Sequence, residues 1–279
     1  MISLFDAHCD TLFRAWREGL AVTDAALAAS VSRATGFEAY TQVYALFTDK
    51  SGRAGYDAMM AIARRELGET SHRCVFSIEG AEGIDCDEGV LPQAYADGVR
   101  AINLCWNYDN AIAGAAMDGA TGLTEKGRRF VREMERLGIY ADVSHLSDTA
   151  FWELIEMAER PVIASHSNSR RLCPWARNLT DKMFLAIAKT GGCVGLNFCA
   201  DFVGRGRDID ALVDHAEHFL ALGGERNLGL GSDFDGCDTV AGLGDLRDME
   251  ALYNAMLRRG WAETLVQDIF YNNFERLFA

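Results

Sequence analysis

Ile139-Tyr140-Ala141-Asp142-Val143-Ser144-His145 is a short apolar run that ends in a histidine, and Val162-Ile163-Ala164-Ser165-His166 repeats the design further on. Between them, the stretch from Ser147 to Ala158 carries apolar residues every three or four positions, and Ser147 is placed to cap a helix. This is strand, helix, strand. Strands that are apolar on both faces and alternate with helices belong to a parallel sheet covered on each side.

Outward from this stretch the same unit recurs along the chain. Strands are predicted over 2–7, 41–47, 74–78, 99–105, 139–144, 162–165, 193–198 and 228–232. A helix is predicted from Thr124 to Leu137, where Phe130, Val131, Met134 and Leu137 share one face and Gly138 is the stop. Another follows Thr180 and ends at Gly191-Gly192. Eight strand–helix units in 279 residues match an α/β fold of the (β/α)8 TIM-barrel type, whose usual size is about 250 residues. An open doubly wound sheet rarely needs eight parallel strands. With three prolines and no linker, low-complexity tract or charge block, residues 1–279 read as one barrel domain.

The composition, 49% hydrophobic and 24% charged, excludes disordered and fibrous chains. No apolar run reaches the roughly 18 residues that a membrane span requires. Neither a leader with a basic start nor a lipid-anchor tail is seen, so the expectation is a cytoplasmic protein without membrane contact. A formal charge of −14, from 41 acidic against 27 basic residues, disfavours phosphate backbones and argues against a nucleic-acid partner. The eight cysteines form no C-x-x-C pair, and several lie inside apolar runs. They read as reduced, buried small hydrophobes in a reducing compartment.

The informative feature is what ends each strand. The first runs into Asp6-Ala7-His8-Cys9-Asp10, where alternation points His8 and Asp10 the same way. The third ends at Glu79, a carboxylate that needs a partner, either a salt bridge or a metal. The fifth and sixth end at His145 and His166, and the eighth runs into Ser232-Asp233-Phe234-Asp235, whose acids could bind metal, act as a base or cap a helix. In a barrel these ends share the C-terminal mouth, where catalytic groups collect. Imidazole and carboxylate together suit zinc or a similar divalent ion. Five or so such ligands exceed what one tetrahedral ion takes, whereas a pair of ions about 3.5–4 Å apart, bridged by one carboxylate, accommodates them. His215 and His218 lie on an amphipathic outer helix, and His72 precedes a strand at the other end, so these three carry no metal expectation.

The blocks Asp6-Ala7-His8-Cys9-Asp10-Thr11, Ser77-Ile78-Glu79-Gly80 and Gly98-Val99-Arg100 come in a telling order. They continue with Gly122-Leu123-Thr124-Glu125-Lys126-Gly127, Asp142-Val143-Ser144-His145 and Ala164-Ser165-His166-Ser167. Arg177-Asn178-Leu179-Thr180-Asp181, Gly231-Ser232-Asp233-Phe234-Asp235-Gly236 and the closing Asn272 to Phe278 complete a chain that resembles the membrane (renal-type) dipeptidases. That family is a barrel branch of the metal-dependent, amidohydrolase-like hydrolases. The resemblance implies two Zn2+ ions, with Mn2+ or Co2+ as alternatives. His8 and Asp10 would hold one ion and His145 and His166 the other, with Glu79 between them. It implies hydrolysis of a dipeptide amide bond by a metal-bridging hydroxide, with Asp233 moving protons. Arg177 would grip the substrate carboxylate, a role that suits its planar fork, although pairing with Asp181 is an equal alternative. Where many relatives carry a histidine after strand four, this chain has Trp106, so Trp106 and Asn107 are expected against the substrate, with Asn110 a further choice. The partner is then a small peptide, and a homodimer is the commonest assembly for such an enzyme.

Other readings keep the barrel. A lactonase, cyclic amidohydrolase or phosphotriesterase often bridges its metals with a carbamylated lysine at a strand end. Lys126, Lys182 and Lys189 fall in predicted helices, and Lys50 follows strand two. A non-catalytic ligand-binding barrel would have no need of Asp233 beside both ligand sets.

Overall fold

The computed structural model describes residues 1–279. Seven strands run parallel: β1 (Leu4–Cys9), β2 (Tyr40–Phe47), β3 (Arg73–Glu79), β4 (Val99–Asn103), β5 (Tyr140–Asp142), β6 (Val194–Leu196) and β7 (Leu228–Leu230). Their order is β5-β4-β3-β2-β1-β7-β6, so the two edges of the curled sheet are β5 and β6.

The stretch 162–165, expected as a full strand, pairs only through Ile163 to Asp142 and Ala164 to Val194. Those two bridges join the edges. Ile163 N–H donates to Ala141 O at 3.0 Å and Val143 N–H to Ile163 O at 2.8 Å. On the other side Ala164 N–H donates to Cys193 O at 3.0 Å and Gly195 N–H to Ala164 O at 2.8 Å. The eighth stave is therefore present and shortened, and the ring is of the (β/α)8 type. The backbones crowd beside it: a Cβ at Gly195 would lie 2.0 Å from the Ser165 carbonyl oxygen, and one at Gly231 only 1.8 Å. Glycine is the one residue that fits such an approach.

Around the sheet lie α1 (Thr11–Glu18), α2 (Gly52–Glu66), α3 (Leu91–Ala96), α4 (Glu125–Leu137), α5 (Asp148–Met157) and α6 (Asp181–Lys189). The set continues with α7 (Ala200–Val203), α8 (Ile209–Ala221), α9 (Met249–Arg258), α10 (Glu263–Gln267) and α11 (Asn273–Phe278). The cap expected at Ser147 is in place, and two threonines cap their helices in the same way. Thr124, Ser147 and Thr180 accept from the backbone N–H groups of Gly127, Ala150 and Met183, and Gly138 closes α4 at φ 86°. Lys126 lies in α4, and Lys182 and Lys189 in α6, away from every strand end.

A continuous apolar core fills the layer between sheet and helices. A second, smaller cluster of Phe5, Ala7, Val43, Val75, Ala101, Tyr140, Ile163 and Cys193 is closed by Phe274 and Phe278 of α11. Inward side chains from neighbouring staves thus make a packed floor, with Phe274 stacked on Phe5 at 5.5 Å. This floor closes the N-terminal end of the barrel and leaves the other end to polar groups. β1 switches between the two regions by a one-residue bulge between Asp6 and Cys9. Ala7 joins the floor while the neighbouring His8 reaches the upper layer, a re-aiming that bulges provide near functional sites.

Candidate metal centre and its cleft

Four of the strands and the shortened stave deliver groups to the same mouth. His8 is the penultimate residue of β1 and Asp10 leads into α1, Glu79 is the last residue of β3, and His145 follows β5. His166 follows the shortened stave, and Asp233 follows β7. His145 and Asp233 sit at φ 79° and 61°, in the left-handed region that costs a side-chain-bearing residue energy and recurs at functional sites.

Glu79 lies at the centre. Its Oε1 is 2.8 Å from His145 Nε2 and 3.8 Å from His166 Nε2, while its Oε2 is 3.5 Å from His8 Nε2. Asp10 Oδ2 lies 3.5 Å and Asp233 Oδ1 4.0 Å from that same His8 nitrogen. The nitrogens of His145 and His166 approach to 3.1 Å. Two overlapping sets have ligand atoms close enough for a cation, His8–Glu79–His166 and His8–Asp10–Asp233, and all five residues are buried.

Three carboxylates, Asp10, Glu79 and Asp233, face one guanidinium, that of Arg177, in space nearly closed to water. His8 Nε2 and Asp10 Oδ1 are buried without any hydrogen-bond partner. Unpaired polar atoms are costly there, and a bound dication would give them a partner. The donors therefore fit a metal centre. The titration tendencies divide: burial opposes a charge on His8, but Glu79 and Asp10 outweigh it and hold that imidazole well above its usual range, while the other two rings move the opposite way. Burial, with the nearby Arg177 charge, holds the His145 imidazole down to about 4, and burial with the neighbouring His8 and Arg177 lowers His166 well below its usual range. Both rings thus offer neutral nitrogen at physiological pH. Burial opposes ionisation of Glu79, but His8 and His145 outweigh it and keep the carboxylate well below its ordinary value.

Arg177 settles its alternative. It is buried against the face of Phe202, with Nη2 2.9 Å from His166 Nε2, so it points into the site. Asp181 instead bonds His218, at 2.7 Å. His215 spans Ser169 N–H and the Val203 carbonyl, a structural tie. Asp235, left open in sequence, is consumed by Thr11, Arg14 and the Ala28 N–H, and it anchors the 24–30 loop. Trp106 lines the cleft and packs on Phe47 at 4.8 Å. Asn107 lines it too, and its Oδ1 lies 2.9 Å from His145 Nδ1. Asn110 is taken up by Glu82, Leu104 and two backbone N–H groups, so it is not available to a substrate.

Several contributors escaped the sequence reading. Asn197 donates to Asp233 Oδ2 at 2.9 Å, and Ser165 Oγ lies 2.7 Å from His166 Nδ1. Asn197 did carry the common signal, a polar residue at the end of an apolar strand. Phe13, Phe47 and Phe202 form the walls of the cleft, together with Cys199 and Cys237, which are free thiols. The cleft encloses about 180 Å³. A larger concavity, about 770 Å³, lies at the opposite end beside Met1, Ile2, Phe37 and Tyr271 and contains none of these groups. The chemistry, and not the size, marks the site.

A barrel with imidazole and carboxylate ligands at its C-terminal mouth defines a metal-dependent hydrolase. Residues 43–279 match the membrane dipeptidase family, peptidase family M19, and the chain belongs to that family of metallo-dipeptidases. An uncharacterised protein of Klebsiella pneumoniae from the region 5′ of pqqA is 36% identical, over 73% of this chain and 80% of its own length. An uncharacterised dipeptidase of Schizosaccharomyces pombe is 33% identical over 86% of this chain, which spans only 58% of that protein. Among solved structures, a metallopeptidase of Rhodobacter sphaeroides, liganded with a phosphinate mimic of the dipeptide L-Ala-D-Ala, superposes with a TM-score of 0.87. It is 26% identical and is matched over 99% of this chain and 98% of its own.

Proposed function

We propose that this protein hydrolyses the amide bond of dipeptides with two divalent cations, zinc first and manganese or cobalt as substitutes. His8 and Asp10 would hold one cation, His145 and His166 the other, and Glu79 both. The observation that carries this reading is the two-sided Glu79, with one oxygen toward His145 and the other toward His8. When bound, such cations supply a water of lowered pKa and polarise the scissile carbonyl.

The chain's own residues do the rest. Arg177, buried and aimed into the cleft, binds the substrate's free carboxylate through its planar fork. That anchor measures the distance from C-terminus to scissile bond and selects two-residue substrates. A cleft of 180 Å³, below the roughly 300–1,000 Å³ of drug-sized ligand sites, suits so small a molecule. The dipeptide mimic held by the Rhodobacter relative supports the same substrate class. Asp233 takes a proton at Oδ1, because Asn197 already donates to Oδ2, and returns it to the departing amine. Phe13, Phe47, Trp106 and Phe202 keep bulk water from the reacting centre. The eight cysteines, none in a disulfide, support the cytoplasm as the place of action.

Elemental analysis with turnover on a dipeptide panel, repeated after chelation and metal return, tests the proposal. Two equivalents of metal and restorable activity are expected. Full activity in metal-free protein, or an Asp233→Asn variant as fast as the wild type, would refute it.

A further inference from the structure

The loop after β4 brings two neighbouring side chains, Trp106 and Asn107, to the cleft. Trp106 has its ring packed on Phe47 and Tyr108. The next residue, Asn107, places Oδ1 2.9 Å from His145 Nδ1. Its Nδ2 meets no protein acceptor, and the side chain lines the cleft beside Arg177 and Glu79.

The orientation of this amide follows from His145. Nε2 faces Glu79 and His166, so that nitrogen must carry the lone pair if His145 is a ligand. A neutral imidazole has one N–H, and it must then be on Nδ1. Nδ1–H donates, so the atom opposite must accept, which makes it the amide oxygen of Asn107. The amide nitrogen is thereby committed to the other side, where the lining residues are those of the cleft. Asn110, three residues further on, has all its capacity used within the protein. Trp106 has one donor and no acceptor, and so cannot hold Nδ1–H.

We infer that Asn107 is a positioning residue for His145 and, from the opposite end of the same amide, a hydrogen-bond donor to the substrate. Oδ1 fixes the tautomer and ring angle of the ligand, and Nδ2 meets an oxygen of the bound peptide. This inference rests on the dipeptidase reading only for its second half. Partners of metal-ligating histidines typically change metal affinity by about 10–100-fold when removed.

Two variants separate the halves. Asn107→Leu loses acceptor and donor, whereas Asn107→Asp keeps an acceptor for Nδ1–H and loses the donor. Each is titrated with Co2+ and Zn2+, the cobalt absorption spectrum is recorded, and thermal unfolding confirms folding. Asn107→Leu should weaken metal binding about 10–100-fold and alter the cobalt spectrum. Asn107→Asp should bind metal at least as tightly as the wild type while raising KM for dipeptides. Wild-type affinity and spectrum in Asn107→Leu would overturn the positioning role. Unchanged KM and kcat in Asn107→Asp would overturn the donor role. If the wild type cleaves no dipeptide while the metal results hold, the substrate reading fails and the positioning of His145 stands.

Discussion

Replacing Arg177 by methionine removes a guanidinium and leaves a side chain that fills much of the same space. Arg177 is buried, held against Phe202 and 2.9 Å from His166 Nε2. If it binds the substrate carboxylate, the variant loses hydrogen bonds to a charged group, worth about 1.5–3 kcal/mol each. One such bond corresponds to a rise in KM of about 10–150-fold, and two in parallel to more. Because the contact is made equally in the ground and transition states, kcat should fall much less. A dipeptide amide has no terminal carboxylate, so its kinetics should barely respond. Metal loss cannot mimic this pattern. Burial is the main cause of the low pKa values of His145 and His166, and the Arg177 charge adds to it. Removing that charge does not weaken either ring as a neutral ligand. The assay is steady-state kinetics of both proteins on a dipeptide and its amide at saturating metal. A variant that still prefers the free acid by the wild-type ratio would refute the assignment.

Three further outcomes follow from the packing. Phe274→Ala opens the barrel floor beneath Phe5 and Gly229, and should cost about 3–5 kcal/mol in denaturant unfolding; a loss below about 1 kcal/mol would show that α11 is not the plug. Gly231→Ala should lower Tm sharply, because its Cβ would sit 1.8 Å from Ser165 O, whereas Gly119→Ala, with nothing within 4 Å, should leave it unchanged; equal behaviour of the two would contradict the crowding at the shortened stave. His72 is held by burial to about 4 from 6.5. The folded ring stays neutral while the unfolded one protonates below 6.5, so this stability is whole above pH 6.5 and is lost as pH falls toward 4. The span corresponds to at most about 3 kcal/mol. His72→Gln should abolish that part of the acid destabilisation, and parallel pH–stability curves for the two proteins would rule it out.

The alternation of apolar runs with amphipathic stretches determined the class of fold, because each run must be covered on both faces and each helix on one. The cap at Ser147 and the helix starts at Thr124 and Thr180 were legible for the same local reason, since one hydroxyl satisfies one nearby N–H. Polar residues at strand ends, His8, Glu79, His145, His166 and Asp233, could be selected from sequence because parallel strands in a ring share one mouth. Tertiary structure decided what depends on distance across the ring. Ile163 and Ala164 form only bridges, one to each edge strand, a pairing across the ring that no single segment encodes. Arg177 faces His166 and not Asp181, while Asp235 is spent on Thr11 and Arg14. Asn107 was marked in sequence as a substrate neighbour, but its contact with His145, and the parts played by Asn197 and Ser165, became visible only beside the groups they hold. Local chemistry is written along the chain; which donor meets which acceptor is set by the closure of the barrel.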